Sequence, residues 1–372
     1  MSEDGSGVLE GVFVPAIHKP SGITSGQCLL HLQNVFSRST LFAPLLASTR
    51  QKRIDQASFL PSNQKNKADD EEANGRFFRM GHGGTLDPLA SGILIIGIGR
   101  GTRALQNYLG CTKTYETVVL FGKSTDTYDV DGEVVAEKTC AHMNEALVRE
   151  KLAAVRGKFR QVPPLYSALK IDGVKACDYV RAGKELPREL EAREVCVDEC
   201  EVLEWWNDAK HDFRWPGEST ATAAPAVKVR LTVSSGFYVR SFAYDLGTTC
   251  GSLATLDELV RTRQANFAIR DRISAEETLP AVTYADLDAG EDVWGPVVKH
   301  QLRTWIAQNP PPAAQTHVNG RDPGTKKRLS EEEKVKTRQR FRGEWVGTSR
   351  KERRRQQKAA KACMNGQNDA AS

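Results

Sequence analysis

The chain has 372 residues, enough for two or three domains of about 100 to 200 residues each, or for one large domain with extensions. Hydrophobic residues make up 40% of it and charged residues 27%, which is typical of a globular protein and excludes a wholly disordered one. The net charge of +5 is unevenly distributed, because residues 326–361 contain fifteen Lys or Arg and five Glu and carry +10 by themselves. This segment indicates a nucleic-acid-binding or nuclear-import tail, with a solvated helix of mixed charge as the alternative.

No segment of the sequence predicts a membrane span, a secreted protein or a metal site. The apolar run at 93–98 is far shorter than the about 20 residues needed to cross a bilayer. The N-terminus lacks the features of a secretory signal or a transit peptide, so we expect an intracellular protein with reduced thiols. Cys196 and Cys200 are a close pair without further zinc ligands nearby, and alternate side chains of a strand explain them better.

The N-terminal part predicts a strand, a helix and an insertion. Residues 12–17 are apolar enough for a short strand, and Thr24 and Ser25 are suitable N-caps for a helix. The regular spacing of apolar residues is then lost over 38–76, where polar and acidic residues predominate apart from an apolar patch at 41–47. We predict a long solvated loop there.

The middle of the chain predicts strands and two helices. The side chains of residues 115–138 follow the two-residue alternation that is typical of strands. The same stretch contains Asp131-Gly132, a hairpin turn signal, so we predict two antiparallel strands. A helix follows near 144–155, and a second, short helix ends at Gly183.

The remaining pattern predicts strands at 195–206 and 227–233, the second of which leads into a helix. We therefore expect an α+β fold with a mixed, mostly antiparallel sheet flanked by helices. The predicted organisation is an N-terminal extension at 1–11, one domain at 12–290 with insertions at 38–76 and 207–225, a linker at 291–325, and a basic tail at 326–372 that is partly disordered or helical.

The densest special sequence is the glycine-rich stretch Gly81–Gly92, which precedes an apolar, strand-like run. Its glycines lack the spacing of a Walker loop or of a dinucleotide-binding loop, which excludes both nucleotide-cofactor sites. What remains is a carboxylate, Asp87, held between Leu86 and Pro88. A carboxylate is ionised at neutral pH and is able to act as a nucleophile, although an Asp before Pro is more often a turn or helix-capping residue.

Five segments in order make the chain resemble the TruB-type pseudouridine synthases. The glycine-rich stretch and the Gly-x-Gly-x-x-Thr-Arg that follows it are similar to the signature of that family, and the other segments match in the expected sequence. The resemblance spans about 12–290, less the two insertions. The matching segments are 17–25, 81–103, 113–127, 161–170 and 235–241.

The resemblance implies that Asp87 is the nucleophile that detaches uracil from its ribose, after which the base rotates and reattaches through carbon without a metal or cofactor. Arg240 resembles the family arginine that pairs with this carboxylate, and we expect its planar fork to orient both carboxylate oxygens. The structural alternative for Arg240 is a surface charge that begins a helix.

Five further residues take site roles by the same resemblance. Tyr115 is expected to stack on the extruded uracil and to assist proton removal from its ring. His82 is expected to fill the space that the flipped nucleotide leaves or to contact its flanks. Lys19 is expected to support Asp87 or a phosphate, and Tyr238 and Leu259 to contact the substrate. The alternatives are a strand aromatic for Tyr115, a structural histidine for His82, a surface lysine for Lys19 and a core leucine for Leu259.

Two departures from the bacterial members point to the eukaryotic, particularly fungal, branch. The residues after 290 are Pro-rich and charged, so we expect no PUA domain, and the insertion at 38–76 and the basic tail resemble that branch. The branch acts on the T-loop uridine of tRNA at position 55. We thus expect a monomer that binds the T-arm of tRNA, and other structured RNA including messenger RNA, in the nucleus, cytoplasm or mitochondrion.

Two other functions remain open from the sequence. One is a non-catalytic RNA-binding or RNA-folding protein on the same fold, against which the intact set Asp87, Tyr115 and Arg240 argues. The other is a guide-RNA-dependent ribosomal RNA synthase of the dyskerin type, which is expected to carry a PUA domain.

Overall fold

A computed structural model of the protein describes residues 12–13, 15–58, 75–207, 211–216, 218, 224–273 and 278–308. In chain order, the strands are β1 (Val12–Phe13), β2 (Ala16–Lys19), β3 (Met80–His82), β4 (Ser91–Gly99), β5 (Lys113–Phe121), β6 (Lys123–Thr125), β7 (Val134–Glu137), β8 (Gly157–Gln161), β9 (Lys170–Ile171), β10 (Val174–Lys175), β11 (Arg193–Trp206), β12 (Ala226–Val233), β13 (Ala254–Gln264), β14 (Phe267–Ala268) and β15 (Leu279–Pro280). The helices are α1 (Ser25–Ser37), α2 (Ala43–Ser58), α3 (Leu105–Gly110), α4 (Glu145–Val155), α5 (Ala176–Arg181), α6 (Val239–Thr249), α7 (Tyr284–Asp288) and α8 (Glu291–Gln308).

One large mixed sheet organises these elements. Its main strands lie in the order β1-β4-β13-β5-β12-β11-β8, with β2 and β3 also on β4, and β14 and β15 at the end of β13. The β13–β4 and β14–β15 pairs are parallel and the other pairs of this sheet are antiparallel. The expected α+β class with a mixed, mostly antiparallel sheet is confirmed.

Several locally encoded elements form as predicted. The side chain of Thr24 accepts a hydrogen bond from the backbone of Gln27, whose own side chain accepts from Thr24, and this capping box begins α1. Asn144 caps α4 in a similar way. Strand β12 has buried apolar side chains alternating with partly exposed polar ones, as predicted for a half-buried strand.

The pairing of β5 differs from the prediction of two antiparallel strands over 115–138. The Asp131-Gly132 turn connects the short strands β6 and β7, whereas β5 pairs with β12 on one side and β13 on the other. Residues 118–121 are at most 1% exposed, so both faces of β5 are covered. A strand buried on both faces belongs in the centre of a sheet, and its partners come from distant parts of the chain.

The predicted loop over 38–76 is wrong for residues 43–58, which form α2. The apolar patch at its start explains the helix, because Phe42, Leu45 and Leu46 are buried at helical spacing. The ring of Phe42 lies 4.5 Å from that of Phe36 on α1, between centroids. Residues 59–74 lie outside the described part of the chain.

The predicted linker at 291–325 is wrong for residues 291–308, which form α8. Trp294, Val298 and Leu302 are each at most 2% exposed and belong to the main hydrophobic core. The carboxylate of Glu291 accepts hydrogen bonds from the backbone N–H groups of Thr40 and Leu41, at 2.8 and 2.7 Å. The domain therefore extends past residue 290, because an apolar face at i, i+4 and i+8 packs on the core.

We expect Trp294→Ala to lower the free energy of unfolding by about 3 to 5 kcal/mol, since a large buried side chain would leave a cavity. Chemical denaturation of the full chain measures this effect. Val293→Ala is the control, because Val293 is 43% exposed on the same helix. Equal losses for the two variants would contradict the packing of α8 on the core.

Parts of the second insertion, 207–225, also pack against the sheet. Trp215 is 4% exposed and lies with Val118 and Leu120 in a separate hydrophobic cluster. Residues 1–11 and 309–372, which include the predicted extension and basic tail, lie outside the described residues. Within the described part, none of the helices is both long enough and apolar enough to cross a membrane.

Candidate active site

The predicted nucleophile, Asp87, lies on the loop that connects β3 to β4. The first residue of α1, Ser25, and the segment just before it hold this loop. The hydroxyl of Ser25 donates to the carbonyl of Leu86 at 3.0 Å and accepts from the N–H of the same residue at 2.9 Å. The backbone N–H of Gly22 donates to the carbonyl of Pro88 at 2.9 Å. Two of the segments that carried the family resemblance are thus in direct contact around Asp87.

The loop returns to the sheet at Gly92, where only glycine fits. Gly92 has a φ of +101°, and a Cβ atom there would overlap the backbone carbonyl of Arg261 on the neighbouring strand β13. Gly92 therefore lets β4 approach β13 closely just after Asp87, which explains one of the many glycines of this stretch.

Arg240, in the first turn of α6, forms an ion pair with Asp87. Its Nε donates to Oδ2 of Asp87 at 2.8 Å. The Arg240 side chain is 5% exposed, whereas the Asp87 side chain is 37% exposed and open to a reactant. The other two nitrogens of the Arg240 guanidinium donate to the backbone carbonyls of Thr127 and Tyr166, each at 2.8 Å. The guanidinium therefore donates to one carboxylate oxygen and two backbone carbonyls. The expectation that it holds both oxygens of Asp87 is wrong.

The backbone ahead of α6 is fixed by a glutamine of β8. The N–H of Tyr238 donates to Oε1 of Gln161 at 2.8 Å, and Nε2 of Gln161 donates to the carbonyl of Tyr238 at 3.0 Å. Ser241 adds a hydrogen bond from its hydroxyl to the carbonyl of Val162 at 3.0 Å. These contacts fix the start of the helix that carries Arg240.

A second carboxylate, Asp129, was missed by the sequence reasoning. Its Oδ2 lies 3.5 Å from Nε of Arg240, and its Oδ1 accepts from the hydroxyl of Thr127 at 2.6 Å. Burial raises the pKa of Asp129, although the Thr127 hydroxyl and the Arg240 guanidinium oppose the increase. The acidic sequence around the Asp131-Gly132 turn was a signal, but its composition is that of an ordinary turn.

Lys19 is fully buried, which excludes the surface lysine considered from the sequence. Its Nζ donates to the carbonyls of Pro20, Ile23 and Pro88, at 2.8, 2.7 and 3.3 Å. Burial lowers the pKa of Lys19 to about 8, which the nearby Cys28 and Asp87 only partly oppose. Of the two roles expected for Lys19, support of the Asp87 loop fits these contacts, and a direct phosphate contact does not.

Tyr115 and Leu259 lie on the central strands beneath the loop. Tyr115 on β5 is opposite Arg261 on β13, and Leu259 is opposite Thr117, so the four residues share one face of the sheet. Arg261 reaches the loop from this face, since its guanidinium donates to the carbonyl of Gly84. Tyr115 is 8% exposed and Leu259 is 7% exposed, and both also contribute to the main core.

His82 and Tyr238 border the same site. His82 is the last residue of β3, and its buried Nδ1 has no hydrogen-bond partner among the described residues. Burial lowers the pKa of His82, and the charges of Arg261 and Lys175 lower it further. Burial raises the pKa of Tyr238, and the negative charge of Asp87 adds to the increase. The structure therefore brings both residues within electrostatic range of the charged groups around the loop.

Two further observations concern metals and thiols. In the described part of the chain, His, Cys, Asp and Glu side chains form no group of three or more that could hold a metal ion. Seven cysteines fall in that part, and all of them, including Cys196 and Cys200, are free thiols.

Comparison with known proteins decides the family. Residues 73–239 match the sequence profile described as TruB family pseudouridylate synthase, N-terminal domain. A Saccharomyces cerevisiae protein named tRNA pseudouridine synthase 4 is 31% identical over 79% of this chain and 85% of its own length. The chain belongs to the TruB family. A Gloeobacter violaceus member named tRNA pseudouridine synthase B is 37% identical over 66% of this chain and 77% of its own length.

The yeast relatives place this TruB protein in the eukaryotic branch. A Schizosaccharomyces pombe protein, also named tRNA pseudouridine synthase 4, is 31% identical over 69% of this chain and 79% of its own length. The solved structure titled "Crystal Structure of a Cbf5-Nop10-Gar1 Complex" is 20% identical, with a TM-score of 0.46 over 80% of this chain and 60% of that one. The TruB profile includes Asp87 and Tyr115 and ends one residue before Arg240.

Proposed function

We propose that the protein is a tRNA pseudouridine synthase that isomerises the T-loop uridine at position 55. The observation that carries the proposal is the ion pair between Nε of Arg240 and Oδ2 of Asp87, in which the arginine is buried and the carboxylate is partly exposed. The names of the yeast and bacterial relatives support tRNA as the substrate.

The reaction rearranges one nucleotide without gaining or losing atoms overall. The bond between N1 of uracil and the ribose breaks, the base rotates, its C5 bonds to the ribose, and the proton on C5 is lost while N1 gains one. In this proposal Asp87 is the nucleophile, because its ionised carboxylate needs no prior activation by a base. Arg240 holds that carboxylate in place through one oxygen while two carbonyls fix the guanidinium itself.

Access to the reacting atoms requires extrusion of the uridine from the stack. Tyr115 supplies an aromatic face for the extruded base, and Leu259 lies on the same face of the sheet. His82 occupies the strand end just before the Asp87 loop, where it would take the space that the base leaves. Recognition of the surrounding RNA hairpin is then mainly by shape and backbone contacts.

The direct test uses the purified protein alone with an unmodified tRNA transcript, followed by mapping of pseudouridine. We expect modification at position 55 and none in a transcript with cytidine there. Binding without modification would favour a non-catalytic RNA-folding protein, and modification only after addition of a guide RNA would favour a guide-dependent synthase.

The proposal extends to the other RNA partners, the oligomeric state and the location of the protein. Recognition by shape also admits other structured RNAs, including messenger RNA hairpins that present a similar loop. We propose that the protein acts on them as a monomer in the nucleus or cytoplasm and also in mitochondria. Sedimentation of the protein with and without tRNA, and microscopy of a tagged chain, test these points.

We predict that the basic tail adds affinity for RNA that does not depend on sequence. Residues 326–361 carry +10, and each phosphate contact they make would change the slope of log affinity against log salt by up to about 0.9. Deleting residues 309–372 should weaken tRNA binding and flatten this slope, while the single-turnover rate at saturating protein stays nearly unchanged. Titrations at several salt concentrations measure the slope. Equal slopes with and without the tail would show that it does not contact RNA.

A further inference from the structure

Two polar side chains of β13, in addition to Ser25, bind the loop that carries Asp87. Nε2 of Gln264 donates to the carbonyl of Gly83 at 2.6 Å. A terminal nitrogen of Arg261 donates to the carbonyl of Gly84 at 3.1 Å. Two successive carbonyls of the loop are thus held by residues about 180 positions later in the chain.

The environment of Gln264 determines how its amide is oriented. The side chain is fully buried, and Nε2 also donates to the carbonyl of Tyr108 at 3.0 Å. Both neighbours of the NH₂ group are acceptors, so the amide must direct its nitrogen at them. Its Oε1 is buried and has no hydrogen-bond partner among the described residues. An unpaired buried acceptor is destabilising, which makes a role in packing alone a poor explanation for a glutamine here.

Arg261 also donates to backbone carbonyls of the loop region, and its side chain carries a positive charge. It is 1% exposed, and its Nε donates to the carbonyl of Ile93 at 2.7 Å. Within the described part of the chain, no carboxylate lies within 4 Å of its guanidinium. A buried cation that bonds to main-chain carbonyls alone is costly, and its two carbonyl partners lie on either side of Asp87 in sequence.

The loop backbone lies directly against these two side chains. Gly84 has a φ of +129°, and a Cβ atom there would stand 3.5 Å from Arg261 and 3.6 Å from Gln264. The loop is therefore held by Ser25 and Lys19 from the N-terminal part of the chain and by Gln264 and Arg261 from β13. The second pair holds the residues at the start of the loop, three and four positions before Asp87.

We propose that Gln264, assisted by Arg261, is a positioning residue for Asp87. Gln264 fixes the carbonyl of Gly83 and Arg261 that of Gly84, and together they set the path of the loop, so that the carboxylate reaches both Nε of Arg240 and the reacting carbon. This inference rests on the proposed function, which makes Asp87 the nucleophile. Positioning matters because a shift of about 1 Å at the reacting atoms is able to reduce a rate by about 100-fold.

The test compares two buried glutamines that differ in what they hold. Gln301 on α8 is also fully buried and bonds to the backbone, accepting from the N–H of Ala16 at 3.2 Å and donating to the carbonyl of Pro280. Neither of these hydrogen bonds involves the Asp87 loop. Gln264→Met and Gln301→Met therefore each remove a buried amide and its backbone hydrogen bonds. For both full-length variants we measure the melting temperature, the tRNA dissociation constant and the single-turnover rate of pseudouridine formation.

We expect both variants to lose a similar amount of thermal stability and to bind tRNA within a few-fold of the parent chain. The single-turnover rate should fall about 10- to 100-fold in Gln264→Met and stay within about two-fold in Gln301→Met. Equal rates in the two variants would overturn the positioning role while leaving the proposed function intact.

If Gln264→Met does not fold, Gln264→Asn takes its place. The shorter amide keeps a hydrogen-bond donor at this position but cannot reach the carbonyls of both Gly83 and Tyr108. A rate equal to that of Gln301→Met would again overturn the inference. Failure of the proposed function gives a distinguishable result, because the parent chain itself would then form no pseudouridine. That result would also contradict the positioning role of Gln264.

Discussion

Replacing Asp87 by Asn is expected to abolish pseudouridine formation while leaving tRNA affinity within a few-fold. The amide keeps the shape of the side chain and occupies the same loop, but it lacks the charged oxygen that attacks carbon in the proposed reaction. The hydrogen bond from Arg240 to this position is retained if the amide oxygen faces the guanidinium, so the site should stay assembled. Release or mapping of the product from a labelled tRNA under single-turnover conditions measures the effect.

A nearby aspartate provides the matched control for this variant. Asp131 is exposed in the turn between β6 and β7, and Asp131→Asn removes the same charge. We expect this control to retain most of the parental rate. Substantial activity in Asp87→Asn, equal to that of the control, would show that Asp87 is only a turn residue.

Arg240→Lys is expected to lower the single-turnover rate by about 100-fold or more. The guanidinium makes three hydrogen bonds of 2.8 Å in three directions, to Asp87, Thr127 and Tyr166. An ammonium on a flexible stem cannot reproduce this planar arrangement, so at least one buried carbonyl would lose its donor. The loss of one preorganised hydrogen-bond donor from an active site commonly costs 10²- to 10³-fold, roughly, in rate.

Arg230→Lys is the control for this substitution. Arg230 on β12 bridges Glu116 and Glu201, with its side chain 35% exposed and no contact with Asp87. The control should lose little activity, because a partly exposed ion pair contributes modestly to stability. A near-parental rate for Arg240→Lys would mean that the arginine is a general positive charge and not the residue that orients Asp87.

Elements that depend on neighbouring residues were predictable from the sequence. The capping box at Thr24 begins α1, the N-cap at Asn144 begins α4, and the alternation in β12 leaves one face buried. Each of these features is local, because the groups that determine it lie within a few residues of one another. The glycine-rich stretch around Asp87 was also recognisable, since its residues are consecutive.

Packing between distant parts of the chain determines the helices and strand partners that the sequence pattern did not predict. The apolar residues of α2 and α8 are few and lie among polar ones, so each helix forms by packing on a core that the rest of the chain supplies. The partners of β5 come from β12 and β13, whose paired residues lie 106 to 151 positions later, and nothing within β5 itself specifies them.

The sequence by itself indicated the two groups of the proposed reaction, a carboxylate at 87 and an arginine at 240. Only the tertiary structure decided which oxygen the arginine holds, where its other two donors go, and that Asp129, Gln264 and Arg261 belong to the same site. The physical reason is that hydrogen bonds between distant segments depend on how the strands and loops pack, whereas a motif records only the residues that are adjacent in the chain.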